Sequence, residues 1–127
     1  MKQTILRIKE LTEGIRAAHG VEIDLIVDHK VQELEMDMKL RHDLFFFYKQ
    51  AISYIVQHIP TDQIFVNINK VRSKLLIEIL CECQDNVEEA RSKFKMAMGP
   101  RLKNLPASME TIAENHSFAV VLYVDLK

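Results

Sequence analysis

The cysteines and histidines are the side chains of this sequence that most readily bind metals. Cys81 and Cys83 stand two residues apart on a predicted strand, so they share one face and are poorly placed to form a disulfide with each other. A structural zinc site needs four ligands. The histidines, at positions 19, 29, 42, 58 and 116, show no paired metal spacing. We therefore expect no metal site, and a reducing compartment is the simpler interpretation of the cysteines.

The sequence is poor in the glycines that phosphate-binding loops require. Loops that cradle phosphates need glycine for positive φ and for close approach of the backbone, and the chain has only Gly14, Gly20 and Gly99. A basic stretch near the C-terminus suits an anion-binding or partner-binding surface, or a solvated helix face diluted by Glu88 and Glu89. Its members are Arg91, Lys93, Lys95, Arg101 and Lys103.

Composition indicates an ordinary globular domain. The chain has 127 residues, 48% of them hydrophobic, with a net charge of −1, which suits one domain over residues 1–127. This balance gives no case for nucleic acid or an anionic membrane as a partner. No run of about 18 apolar residues occurs, so we expect no direct membrane insertion. The first ten residues are amphipathic rather than a signal peptide.

The central element is a helix predicted over residues 40–58, LRHDLFFFYKQAISYIVQH. Asp37 is placed to cap it, and Pro60 ends it because proline cannot continue the hydrogen-bond ladder. Its apolar stripe recurs at intervals of three or four residues and is widened by Phe46, Tyr48, Ile52 and Tyr54, so we expect burial on most sides. The stripe consists of Leu44, Phe47, Ala51, Ile55 and His58.

The other elements follow from the same periodicities. A helix is predicted over residues 2–18, stopped by Gly20, and another over about 87–105, broken or kinked at Gly99-Pro100. A turn over residues 28–30 precedes a weak extended piece over 31–36. Arg72-Ser73 forms a tight turn, and residues 114–117 turn a terminal hairpin. Strands are predicted over residues 21–27, 64–69, 75–81, 108–113 and 118–126.

The order of these elements, α-β-(β)-α-β-β-α-β-β, predicts an α+β fold class. The expected architecture is a two-layer α/β sandwich, in which a mixed, mostly antiparallel sheet carries the helices on one face. No linker or internal repeat divides the chain.

Three stretches carry a family resemblance. The central helix has Arg41, Leu44, Phe45, Phe46, Phe47, Lys49, Ala51, Ile52 and His58; later come Met98-x-x-Arg101-x-x-x-Leu105 and the final HSFAVVLYVDLK. Their order and spacing resemble the catalytic ATP-binding domain of sensor histidine kinases, which belongs to the GHKL ATPase superfamily with its Bergerat-type nucleotide fold. In that family the helix has Arg-x-x-Leu, a hydrophobic run, then Lys-Glu-Ala-(Leu/Ile)-x-Asn-x-x-Lys-His. The resemblance covers essentially the whole chain.

The resemblance also implies a catalytic site, from which this sequence departs in the central helix. Gln50 stands where the family has a glutamate that orients the attacking chemistry, and glutamine lacks its charge and basicity. Tyr54 stands where an asparagine holds Mg²⁺, and tyrosine cannot replace that carbonyl oxygen toward a hard cation. Tyr54 should also fill the space of metal and phosphate. Gln50 is either a neutralised base that still binds ligand or a polar residue lining a collapsed pocket.

The remaining departures concern adenine and the lid. Cys81 stands where an aspartate accepts a hydrogen bond from the adenine amino group, and a thiol is a poor acceptor. Cys83 occupies the place of a glycine. The glycine-rich lid is missing from residues 84–96, and Pro106-Ala107 replaces paired glycines before the hairpin. His58, where the family has histidine, is either a retained functional residue or a helix-end histidine favoured by the dipole.

These departures predict a degenerate histidine-kinase-type ATPase domain that does not bind nucleotide, so neither ATP nor Mg²⁺ is expected as a cofactor. Its role would be structural or protein-interacting in two-component signalling, as a cytoplasmic piece of a larger protein. Its partners would be other domains of that protein or a partner kinase or regulator, with no nucleic acid. The alternative is a functional ATP-binding domain of a sensor histidine kinase with an atypical site.

Overall fold

A computed structural model describes residues 1–83 and 86–126; Gln84 and Asp85, from the polar stretch before the last predicted helix, lie outside the described residues. The helices are α1 (Lys2–His19), α2 (His29–Gln32), α3 (Met38–His58) and α4 (Val87–Met98), followed by a 3₁₀ segment (Gly99–Asn104). The strands are β1 (Glu22–Val27), β2 (Gln63–Val71), β3 (Lys74–Glu82), β4 (Ala107–Glu114) and β5 (Ser117–Asp125).

The strands form one sheet in the order β1-β2-β3-β5-β4. β1 and β2 are parallel because the long connection through α2 and α3 returns the chain to the same end of the sheet. The other three pairs are antiparallel, two of them joined by tight turns at Arg72 and Asn115, whose φ angles are 57° and 50°. This architecture confirms the predicted two-layer α+β fold with a mixed, mostly antiparallel sheet.

The core lies between the helices and one face of the sheet. In β2 the side chains of Ile64, Val66 and Ile68 are buried while Phe65 and Asn67 between them are exposed. The same alternation runs through β3 and β5, as expected for a sheet with one face packed and one face open.

Helix α3 crosses the middle of the helical layer. The Asp37 side chain caps it by accepting a hydrogen bond from the Leu40 amide at 2.7 Å, as the sequence predicts. Its buried residues are Leu44, Phe47, Tyr48, Ala51, Ile52 and Ile55. The predicted burial of Phe46 and His58 is wrong: Phe46 is 49% exposed, and His58 is exposed while the next residue, Ile59, is buried.

Helix α1 packs against α3 through a buried polar contact. The Tyr48 hydroxyl donates to Thr12 Oγ1 at 2.7 Å, because Thr12 already donates its own proton to the Ile8 carbonyl. Both side chains are thus satisfied, which removes the cost of burying them. Gly20 ends α1 with φ 67°, a left-handed conformation that glycine adopts without strain, and its amide donates to the Arg16 carbonyl.

Of two connecting segments, the structure corrects the sequence prediction for one and confirms it for the other. The stretch predicted as a turn followed by an extended piece is instead the short helix α2, in which Val31 is buried and whose first turn Asp28 caps by accepting from the Lys30 amide. The later helix ends at Met98, and a 3₁₀ segment begins at Gly99-Pro100. That change confirms the predicted break, which the missing proline amide explains.

Replacing Asp37 with alanine is expected to lower the free energy of unfolding by about 1 kcal/mol, because the first turn of α3 loses its side-chain acceptor. Asp37→Asn should retain most of the stability, since asparagine also caps. Urea denaturation measures both, and Glu35→Ala, an exposed residue outside any helix, is the control. An alanine variant as stable as the control would contradict the capping role.

None of the helices in the described part of the chain has both the length and the apolar character needed to cross a membrane.

Candidate functional site

Tyr54 lies at the contact between α3 and α4. Its ring centroid is 5.8 Å from that of Phe94 on α4, in an edge-to-face arrangement with an interplanar angle of 76°. On its own helix it contacts His58 one turn later, with 4.6 Å between centroids. The tyrosine ring therefore occupies space between the two helices, and the residue is half-buried.

Phe94 continues these contacts into the sheet. It is fully buried, and its ring meets that of Phe118 on β5 at 5.3 Å and 68°. We call Tyr54, Phe94 and Phe118 the aromatic row. Edge-to-face contacts between rings contribute about 0.5–1.5 kcal/mol beyond the burial of their surface, so the aromatic row fixes α4 onto both α3 and the sheet.

Gln50 lies one helical turn before Tyr54 and faces a different space. It lines an open cleft of about 370 Å³ between α3 and the 3₁₀ segment, to which Tyr54 does not contribute. Asp43 and Arg101 bring opposite charges to this cleft, and Asp43 accepts a hydrogen bond from Lys39 at 2.7 Å. The remaining lining residues are Phe46, Phe47, Ala97, Pro100 and Asn104.

The two cysteines are buried in and just after β3. Burial raises the pKa of the Cys81 thiol from 9.0 to about 12, with a smaller contribution from the neighbouring Cys83. Cys81 therefore stays protonated at neutral pH. In the β3–β5 ladder it pairs with Phe118. The backbone amide of Cys83 donates to the His116 carbonyl at 2.6 Å, which joins the end of β3 to the hairpin turn.

The basic stretch on α4 is partly neutralised by acids of the same helix. Arg91 pairs with Glu88 and also reaches the Thr111 hydroxyl, and Lys93 pairs with Glu89 at 2.7 Å. These pairs lower the pKa of both carboxyl groups. For this half of the stretch a solvated helix face is the better interpretation, while Arg101 lines the cleft.

The structure does not gather the five predicted positions around one cavity. Tyr54 and His58 touch, Gln50 lines the cleft, and the cysteines lie under the helical layer. Across residues 1–83 and 86–126, no cluster of three or more histidine, cysteine or acidic side chains has metal-binding geometry. Sequence reasoning missed Phe94, whose only signal was its four-residue spacing from Met98, also buried.

Comparison with solved structures identifies histidine kinase domains of similar fold. The histidine kinase domain of a blue-light-activated histidine kinase from Erythrobacter litoralis has a TM-score of 0.72 at 10% identity, covering 94% of this chain and 59% of that one. The catalytic domain of the histidine kinase ThkA has a TM-score of 0.71 at 10% identity, covering 97% and 90%. The Acinetobacter baumannii histidine kinase AdeS has a TM-score of 0.70 at 9% identity, covering 99% and 64%.

The chain therefore has the fold of histidine kinase catalytic domains, and the resemblance seen in the sequence is confirmed at the level of the fold. It spans 59% of the Erythrobacter chain and 64% of the Acinetobacter chain. The sequence matches no family model and no curated protein sequence.

Proposed function

We propose that this chain is a histidine-kinase-type ATPase-like domain that serves two-component signalling as a protein-interaction module and does not use Mg-ATP. The observation that carries the proposal is the position of Tyr54. It stands where the resembling family has its Mg²⁺-binding asparagine, and its ring is held between α3 and α4 by Phe94 and His58. A metal with its phosphates would have to displace this ring.

The adenine position supports the same proposal. Cys81, in place of the family's adenine-binding aspartate, is fully buried and holds its proton. A neutral thiol accepts hydrogen bonds weakly. Each lost hydrogen bond to a charged or buried polar partner costs about 1.5–3 kcal/mol, so the combined losses at Gln50, Tyr54 and Cys81 would weaken binding by several powers of ten.

A second candidate is a working ATP-binding domain with an atypical site. The cleft beside Gln50 favours it, because this space is open and Arg101 supplies a cation for phosphate. The two candidates differ in whether the folded chain binds Mg-ATP.

Thermal melting with excess Mg-ATP is expected to leave the midpoint unchanged. A ligand at about 100 times its dissociation constant would add roughly 2.7 kcal/mol to the free energy of unfolding, which raises the melting temperature of a domain this size by several degrees. ATP with a chelator and magnesium chloride alone are the controls.

A saturable shift that requires magnesium would overturn the proposal in favour of the second candidate. In that case Arg101→Gln and Gln50→Ala locate the ligand, because both residues line the cleft. Lys103→Gln, an exposed basic residue of the same 3₁₀ segment that does not line it, should leave the shift unchanged.

A further inference from the structure

The face of the sheet opposite the helices carries a continuous row of apolar side chains. Phe65 pairs with Leu80, Leu80 with Ala119, and Ala119 with Ile112, so the row crosses β2, β3, β5 and β4. Phe65, Leu80 and Ile112 are 43%, 43% and 44% exposed. We call these four residues the apolar row.

Apolar side chains also extend from this row along the two central strands. Leu76 pairs with Tyr123 on the same face, and Val121 lies between Ala119 and Tyr123; all three are half-buried. Sheet faces that meet water usually carry polar residues, and a contiguous exposed apolar surface is typical of an interaction site. A depression of about 480 Å³ lies beside Phe65 and Leu80, at the turn of the terminal hairpin.

Acidic side chains surround the apolar row, and one of them, Glu78, lies within the apolar surface between Leu76 and Leu80 on β3. Within residues 1–83 and 86–126, five exposed carboxylates on this face form no ion pair, whereas its one cation, Lys74, is paired with Asp125 at 2.5 Å. The chain as a whole has a net charge of only −1, so negative charge is concentrated here. The five carboxylates, which we call the acidic border, belong to Asp24, Glu78, Glu82, Glu110 and Glu114.

We propose that this face binds an amphipathic helix of a partner protein, with Lys and Arg flanking the apolar side of that helix. A helix lying along β5 would cover the apolar surface and place its basic flanks beside acidic residues of the two neighbouring strands, Glu78 on β3 and Glu110 on β4, turning the two-layer fold into three layers. This inference rests on the protein-interaction role in the proposed function, and it identifies the surface that would carry out that role.

Three features of the face favour this occupant. The backbone groups of β3 and β5 are paired on both sides, so an added strand has no place on the face itself. Anionic lipids and nucleic acids would be repelled by the acidic border. Charge complementarity steers a basic partner toward the surface and fixes its orientation, while the apolar row excludes water from the contact.

The test uses the full chain and a fluorescein-labelled model peptide, an amphipathic helix built from leucine and lysine. A matched peptide has glutamate in place of every lysine. Fluorescence anisotropy should show saturable binding of the lysine peptide that weakens as salt is added, and affinity lower on the order of tenfold or more for the glutamate peptide. Equal binding of both peptides would overturn the proposal.

Variants then locate the contact. Glu78 and Glu110 flank Val121 in the ladder, so Glu78→Gln combined with Glu110→Gln should weaken binding by on the order of tenfold. Glu33→Gln with Glu35→Gln changes the net charge equally at exposed positions off the sheet and should leave the affinity unchanged. Similar losses in the two double variants would mean general charge attraction and would contradict the site.

The apolar row is tested in the same way. Leu80→Ser should weaken peptide binding, whereas Leu6→Ser on α1, which is 49% exposed, should not. Sedimentation of the chain alone tests whether a second copy of the chain covers the face instead. A dimer that dissociates in the Leu80→Ser variant would show that it does, and would overturn the proposal. These outcomes are independent of the Mg-ATP melts, so failure here and failure of the proposed function are separable.

Discussion

Replacing Phe94 with alanine is expected to lower the free energy of unfolding by about 3–5 kcal/mol. The side chain is fully buried, and its ring contacts both Tyr54 on α3 and Phe118 on β5. Its removal leaves a cavity where three elements meet. The loss is a large part of the stability of an ordinary domain, which is about 5–15 kcal/mol.

Urea denaturation followed by circular dichroism measures this loss. The control is Met96→Ala, two residues later on the same helix, whose side chain is 78% exposed. Both substitutions place alanine in α4, so their difference isolates the buried ring from helix propensity. Should the two variants prove equally stable, α4 would not be fixed by the aromatic row, and Phe94 would not hold the Tyr54 ring in place.

The sheet and the long helices were predictable because their signals are periodic and local. Alternation at Ile64, Val66 and Ile68 identifies a half-buried strand, and Asp37 with Pro60 brackets the central helix. Periodicity could not decide between His58 and Ile59, because both lie within one turn of Ile55 and both fit the stripe. The structure buries the apolar residue, Ile59, at the point where the chain leaves α3 and turns toward the sheet.

Helix α2 was not predicted, again because periodicity could not decide its conformation. Four residues, His29–Gln32, are too few to show a helical period, and the side-chain cap from Asp28 is a local hydrogen bond that the sequence equally allows in a turn. Only the burial of Val31 against the sheet favours the helical conformation.

The candidate site was predictable only in part. Family resemblance identified Tyr54 and Gln50 as departures, but residue types do not reveal what each side chain contacts. The aromatic row joins positions 54, 94 and 118, which share no sequence pattern. The cleft beside Gln50 depends on how the 3₁₀ segment after Met98 folds back toward α3, and a break at Gly99-Pro100 predicts a change of direction without its orientation.

Stability is expected to fall steeply as the pH rises from about 9 to about 12. In the folded chain burial raises the pKa of Cys81 from 9.0 to about 12 and that of Tyr48 from 10.0 to about 12. Above the unfolded pKa, the unfolded chain has released a proton that the folded chain still holds, so higher pH favours unfolding. Each pKa unit is worth about 1.4 kcal/mol, which gives about 4 kcal/mol for Cys81 and about 3 kcal/mol for Tyr48.

Urea denaturation in a reducing buffer, repeated from about pH 8 to about pH 11, measures this slope. Cys81→Ala should flatten the slope that begins near pH 9, and Tyr48→Phe should flatten only the part above about pH 10, although both variants start from a lower stability. Exposed groups that titrate at high pH act equally in all three proteins, so the comparison of slopes isolates the buried ones. An unchanged slope in Cys81→Ala would mean that the thiol ionises as readily in the folded chain as in the unfolded one, and the Cys81 sulfur would then be open to solvent.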